Sequence, residues 1–239
     1  LVLNGDTLDT RPGPDPAHTE ECLAKVSAFF ACHVARTTFV TGNHDADFSP
    51  HHHLDLSGGV VFVTHGDVLF DNIVPWSQDA GLARRLIAGE LKRLPVDLRQ
   101  DLDQRLAVFR RVAGAIPQRH QSEKRGLRYT LHYLADTIWP PHRVLLVMRA
   151  WQRMPGLAAD LAQRHRPKAR FVLTGHTHRV GIWHSAPNLT VINTGSFSLP
   201  VGAFTVDLNR ATLAVRKIVQ VAGEFRPGPL VAEFPLAAA

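Results

Sequence analysis

The sequence predicts an α/β protein, and three observations carry that prediction. Residues 1–75 alternate short apolar or β-branched runs with helical periodicity, residues 169–220 return to short strands after a long helical interval, and four polar clusters each sit directly behind a strand-like run. The clusters are Gly5-Asp6-Thr7-Leu8-Asp9, Gly42-Asn43-His44-Asp45, His65-Gly66-Asp67 and Gly175-His176-Thr177-His178. The runs before them are Leu1-Val2-Leu3, Thr38-Phe39-Val40, Val60-Val61-Phe62-Val63 and Phe171-Val172-Leu173. Polar groups placed just past strand ends can converge at one edge of a sheet.

The elements follow in order. After the first strand, His18 to Val34 has helical spacing, with Leu23, Val26, Phe29 and Phe30 on one side. Thr37 to Thr41 is a β-branched strand. Ser49-Pro50 reads as an N-cap followed by proline at the first helical position. Gly58-Gly59 is a turn before the strand that ends at His65. Residues 76–168 then read as helices over Gly81–Leu94, Val96–Ala113, Glu123–Ile138, His142–Met154 and Leu157–Arg164, separated by Pro95, Pro117, Pro140-Pro141 and Pro155-Gly156. Strands return at Arg170–Thr174, Val180–His184, Thr190–Asn193, Gly202–Asp207 and Ala211–Ile218. From Gly223 the chain is rich in proline and glycine and reads as irregular. The predicted organisation is a core of residues 1–75 and 169–222, a helical insertion over 76–168, and an irregular tail over 223–239.

The 239 residues suffice for one sizeable core carrying such an insertion. Net charge is +6, and it is uneven, because residues 76–168 hold 18 basic residues against 8 acidic ones. That excess suits either a solvated helical face or a surface that attracts an anionic substrate or membrane. No apolar run reaches the roughly 18 residues that cross a bilayer. Cys22 and Cys32 fall on one predicted helix and read as reduced packing residues. Leu1 already lies inside a strand, so a preceding segment is expected.

The cluster residues suit metal chemistry. Asp6, directly behind a strand and a glycine, can bridge two cations. Asn43 offers an amide oxygen, and His65 and His176 offer imidazole nitrogens, so these three with Asp6 can hold one ion while Asp6 and His178 hold another. Mixed nitrogen and oxygen ligation suits Zn, Mn, Fe, Ni or Co better than Ca. Two such ions about 4 Å apart bind a phosphoryl oxygen and hold a hydroxide between them. His44, beside Asn43, is placed either to stabilise a charged transition state or to protonate a leaving oxygen. Asp45 is expected to orient His44, Asp9 to orient a ligand in the same manner, and Asp67 to brace the loop of His65.

On these residues the chain resembles the calcineurin-like metallophosphoesterase superfamily, whose signature runs Asp-x-His, Gly-Asp-x-x-Asp, Gly-Asn-His-Asp/Glu, His and Gly-His-x-His. The last four parts are present in order across residues 5–178. The resemblance implies a two-sheet β-sandwich flanked by helices, here with a large α-helical insertion. It implies two divalent transition-metal ions, bridging by Asp6, one ion on Asn43, His65 and His176, the other on His178, and leaving-group catalysis by His44. The implied reaction is hydrolysis of a phosphate monoester, diester or pyrophosphate by metal-activated hydroxide. The first part, Asp-x-His, has no counterpart before Asp6. A missing segment of about 25–40 residues, the size of one βα unit, is therefore expected, with weak or absent activity in the chain as it stands.

His65-Gly66-Asp67 followed by a helical insertion is similar to the UDP-2,3-diacylglucosamine diphosphatase group, although that group has arginine where His44 stands. The expected substrate is a small-molecule or lipid-linked phosphate ester, and the expected location is cytoplasmic, with peripheral contact to the inner membrane through the basic insertion as a further expectation. Within the insertion, Arg84, Arg125 and Arg128 are candidates to grip a substrate phosphate, a task that suits guanidinium forks. His51-His52-His53 reads as a helix start near the mouth of the site. The competing expectation is a degenerate metal site whose basic insertion binds anionic lipid or nucleic acid. No recognisable nucleic-acid motif supports the nucleic-acid form.

Overall fold

The computed structural model describes residues 1–33, 36–118, 140–197 and 202–236. The chain divides into two compact units, Leu1–His53 with Asp67–Arg153, and Leu54–Gly66 with Met154–Ala239.

In the first unit, β1 (Val2–Asn4) and β2 (Thr38–Val40) pair in parallel with Asn4 opposite Val40. Parallel neighbours need a crossover, and α1 (Pro16–His33) lies in that connection. Asp15 Oδ1 accepts the His18 N–H at 3.1 Å, and Pro16 occupies the first turn, where its missing N–H costs nothing. Two further helices follow, α2 (Ala80–Arg93) and α3 (Leu102–Ala115). Asp101 caps α3 by accepting the Gln104 N–H at 2.9 Å. Leu102, Leu106, Phe109, Val112 and Ala113 recur at helical spacing and are buried, each large side chain contributing about 1.5–3 kcal/mol. Phe30, Phe39 and Phe48 meet edge to face, with centroids 5.2 and 4.8 Å apart.

The second unit is a sandwich of two sheets. One sheet has the order β3 (His53–Leu56), β4 (Val61–Thr64), β5 (Phe171–Thr174), β7 (Leu189–Asn193), β6 (Gly181–Ala186). β4, β5 and β7 run parallel, and β6 returns antiparallel to β7. The other sheet is antiparallel, with β9 (Thr212–Val221) between β8 (Phe204–Leu208) and β10 (Glu224–Pro235). Val61, Val63, Phe171, Leu173 and Ile192 of the first sheet meet Leu213, Val215 and Leu236 in one core. β4, β5 and β7 are buried along their whole length, as parallel strands covered on both faces are. α4 (His142–His165) adds buried Met154, Ala158, Ala159 and Ala162, and Thr174 Oγ1 donates to Met154 Sδ at 3.8 Å.

Several elements differ from the sequence expectation. Ser49-Pro50 starts no helix: Ser49 Oγ donates to the Phe39 carbonyl at 2.6 Å and accepts the His51 N–H at 3.1 Å, which makes a turn into β3. Val96–Gln100 is a separate short 3-10 turn, and α3 begins only at Leu102. α4 runs through Pro155, where the apolar contacts of Met154 and Ala158 outweigh the lost hydrogen bond. The tail expected to be irregular is the twelve-residue strand β10. The boundary between the two units falls within α4, between Arg153 and Met154. The helix expected over Glu123–Ile138 lies outside the described residues. Both cysteines are free thiols, Cys22 partly buried and Cys32 exposed. No helix among the described residues is long and apolar enough to cross a membrane.

Candidate active site

Two loops of the first unit are knitted into one body. β1 and β2 end side by side, and the chain leaves β1 through Gly5 and Asp6, at φ 81° and 54°. Gly42 opens the second loop, and a Cβ there would lie 2.3 Å from Asp6 Oδ1 and 2.7 Å from Asp6 N, so only glycine fits. The Asp45 carboxylate, 1 % exposed, accepts N–H groups from Gly42 (2.6 Å), Thr7 (2.6 Å), Asp6 (3.1 Å) and Leu8 (3.4 Å). In return the His44 N–H donates to Asp6 Oδ1 at 2.9 Å, and the Thr10 N–H donates to the His44 carbonyl at 2.9 Å.

These bonds aim the side chains that carry chemistry. Asn43 is 3 % exposed, and its Oδ1 accepts no hydrogen bond among the described residues. A buried acceptor in that state costs about 1–3 kcal/mol unless something else meets it. The His44 ring is 41 % exposed, and its Nδ1 lies 2.8 Å from Asp9 Oδ2. Arg11 grips Asp9 with two bonds, Nε to Oδ1 at 2.9 Å and Nη2 to Oδ2 at 2.6 Å. The same Nη2 is 2.8 Å from His44 Nδ1. The two partners select opposite ring states: a protonated Nδ1 donates to Asp9, and a bare Nδ1 accepts from Arg11. Either way Nδ1 is engaged and Nε2 is the nitrogen left to face a substrate. Burial is the largest influence on Asp9 and raises its pKa, but hydrogen bonds from Arg11 and His44, with their charges, outweigh it and hold Asp9 at about 2.

The second unit builds a histidine group of its own. His65 follows β4, and Gly175-His176-Thr177-His178 follows β5. The Gly175 N–H donates to the His65 carbonyl at 2.8 Å. Asn193, fully buried at the end of β7, donates to the Gly175 carbonyl (2.6 Å) and Thr177 Oγ1 (3.0 Å), and accepts the Gly195 N–H (2.8 Å). His65 and His176 are buried with ring centroids 5.1 Å apart, and each offers a nitrogen within 4.8 Å of the other's. His178 is exposed. Asp6, His176 and His178 are three of the six described non-glycine residues at positive φ, the backbone state that functional loops retain against its cost.

The first unit offers the Asp6 carboxylate and the unmet Asn43 oxygen, and the second offers the His65 and His176 imidazoles; each is a kind of donor that borderline divalent cations accept. The remaining candidates are placed differently from expectation. Asp45 ties two loops together, and the carboxylate found on the His44 ring is that of Asp9. Asp67 is fully buried with His52 Nε2 3.7 Å from its Oδ2, while His52 Nδ1 meets Thr41 Oγ1, the residue before Gly42. His53 Nε2 meets Asp103 Oδ1 at 2.7 Å, so the His51-His52-His53 tract is partly structural. Arg84 pairs with Asp71 at the surface, 3.3 Å away, with both side chains mostly exposed. Arg125 and Arg128 lie outside the described residues. Sequence reasoning missed Arg11 and Asn193. Arg11 stands two residues past Asp9, and that proximity to a motif aspartate was the one available signal.

No family model and no curated protein matches the chain. Among solved structures it is similar to a double mutant of Vps29 from Entamoeba histolytica, at 11% identity and TM-score 0.37, over 98% of this chain and 80% of that one. A single mutant of the same Vps29 aligns at 12% identity and TM-score 0.40 over 98% of both chains. Vacuolar Protein Sorting 29 from Cryptosporidium parvum aligns at 13% identity and TM-score 0.36, over 98% of this chain and 97% of that one. Likenesses at these TM-scores carry no statement about chemistry, and the α/β architecture rests on the chain's own strands and helices.

Proposed function

We propose that the chain is a metal-dependent phosphoesterase that hydrolyses a phosphate ester by attack of an activated water. The observation that carries this reading is the pairing, on one loop, of a buried Asn43 oxygen without a protein donor and a half-exposed His44 whose Nδ1 is engaged by Asp9 and Arg11. On this reading Asp6 and Asn43 would supply oxygen ligands, His65 and His176 would supply nitrogen ligands, and His178 would serve a second ion. Divalent ions held by that set would polarise a phosphoryl oxygen and lower the pKa of bound water. The chain's own residues do the rest. The hydrogen bond from the His44 N–H to Asp6 Oδ1 holds the Asp6 carboxylate against the loop that carries the imidazole. His44 Nε2 gives a proton to the ester oxygen as the bond from phosphorus to that oxygen breaks and a bond from phosphorus to the water oxygen forms. Asp9 stays ionised and steadies the ring's positive charge, and Arg11 keeps Asp9 in place.

The test is Mn²⁺-dependent hydrolysis of bis(p-nitrophenyl) phosphate and p-nitrophenyl phosphate by the full chain, with elemental analysis of the protein before and after Asn43→Ala. Turnover with bound transition metal, and loss of metal in Asn43→Ala, support the reading. A chain that retains no Mn, Fe, Zn, Ni or Co and turns over neither ester refutes it.

A further inference from the structure

We propose that a cleft beside Arg11 seats the leaving group of the substrate, and that this group is a neutral, hydroxylated ring of sugar size; the inference rests on the phosphoesterase reading. Arg11, whose Nη2 touches His44, borders two spaces of the first unit. One is a cavity of about 40 Å³ that also reaches Asn43 and is lined on its apolar side by Ile73, Ala113 and Ile116. About 10–15 Å³ of such volume holds one water, so this cavity admits a few waters or a phosphoryl group but is small for a sugar ring. The other is a cleft of about 600 Å³, within the roughly 300–1,000 Å³ that small-molecule sites span. Of the two spaces along Arg11, the second is the one with room for a ring-sized leaving group.

The lining selects the chemistry. Leu23, Phe48 and Pro12 supply an apolar surface, and Glu20 and Asp47 supply two carboxylates. The one guanidinium, Arg11, is already doubly bonded to Asp9. Two acceptor-only groups against one neutralised cation disfavour a second phosphate and favour hydroxyl donors. Apolar surface beside carboxylate acceptors matches a sugar ring, which has an apolar face and a hydroxylated edge. A pyrophosphate leaving group would meet like charge.

The experiment has two arms on the full chain. Saturation-transfer NMR with methyl β-ribofuranoside reads the cleft without turnover, and we expect ring-proton signals that disappear in Glu20→Lys, a change at an exposed position of α1. Ribose 5-phosphate should be hydrolysed with at least about tenfold higher kcat/KM than UDP-glucose, the factor one charge-assisted contact supplies, and Glu20→Lys should erase that preference. Equal saturation transfer in wild type and Glu20→Lys, or a preference for UDP-glucose, overturns the inference. If bis(p-nitrophenyl) phosphate is turned over while that happens, the phosphoesterase reading survives and only the leaving-group assignment falls. If no ester is hydrolysed, the phosphoesterase reading falls as well.

Discussion

Replacing Asp45 tests whether one carboxylate organises the site. Its two oxygens together accept four main-chain N–H groups, from Gly42, Asp6, Thr7 and Leu8. Three of these bonds are short enough to count fully, at 2.6, 2.6 and 3.1 Å, and the Leu8 contact at 3.4 Å adds little. A hydrogen bond to a charged acceptor is worth about 1.5–3 kcal/mol, which bounds the loss from below at roughly 4–5 kcal/mol if nothing relaxes. The Thr7 and Asp6 bonds are only partly buried, so water replaces part of that loss and about 3–4 kcal/mol is expected for Asp45→Ala. At a urea m-value of about 2 kcal/mol/M, the unfolding midpoint should fall by about 1.5–2 M, read by circular dichroism. Asp45→Asn is the sharper variant. Both oxygens accept in the native site, so an amide must aim its NH₂ at main-chain donors, and the Asp45→Asn chain should lie within about 1 kcal/mol of Asp45→Ala. A midpoint shift under about 0.5 M for Asp45→Ala, or unfolding of Asp45→Asn that is indistinguishable from wild type, would refute the reasoning.

Other outcomes follow from the same geometry. Gly42→Ala drives a Cβ into Asp6 and should cost about 1–3 kcal/mol in urea unfolding while lowering retained metal, measured on one preparation. Asp9 is held at about 2 against an ordinary 3.8. Its contribution is therefore complete above about pH 4 and is lost as pH falls through about 2. After discounting for solvent screening it is on the order of 1–2 kcal/mol, and Asp9→Asn should flatten that part of the stability–pH curve. His44→Ala should slow phenyl phosphate by about 10²–10⁴ while slowing p-nitrophenyl phosphate much less, because p-nitrophenolate leaves without an acid. Equal losses on the two esters would remove His44 from the proton-donor role. Asn193→Leu should release the Gly175–His178 turn, seen as faster amide exchange at Gly175 and Gly195 than in the rest of β5 and β7.

The strands and the loops behind them were legible because each joins a short apolar run to a polar cluster, a pattern that survives in one dimension. β1, β2, β4 and β5 appear within a residue or two of where the runs end. Asp45 was misassigned because its partners are main-chain N–H groups up to 39 positions away, and main-chain donors leave no trace in a list of side chains. Asp9 and Arg11 reach His44 from 35 and 33 positions away for the same reason. Ser49-Pro50 imitated a helix start because a serine hydroxyl can serve a turn as well as a cap. β10 was hidden by Pro227, Gly228 and Pro229. Its register shifts between Pro227 and Leu230, and among the described residues the strand pairs on one side only, where proline is tolerated.

That last strand has a bearing on what becomes of the edge of β9. β9 is Thr-Leu-Ala-Val-Arg-Lys-Ile-Val-Gln-Val, ten residues without a proline, and its outer row of N–H and C=O groups is taken up by β10. Shorn of residues 223–239, that row would be open to any like strand, and self-association in solution would be expected. β10 thus covers that row, and its own Pro227 and Pro229 withhold two of the N–H donors on which a further strand would pair.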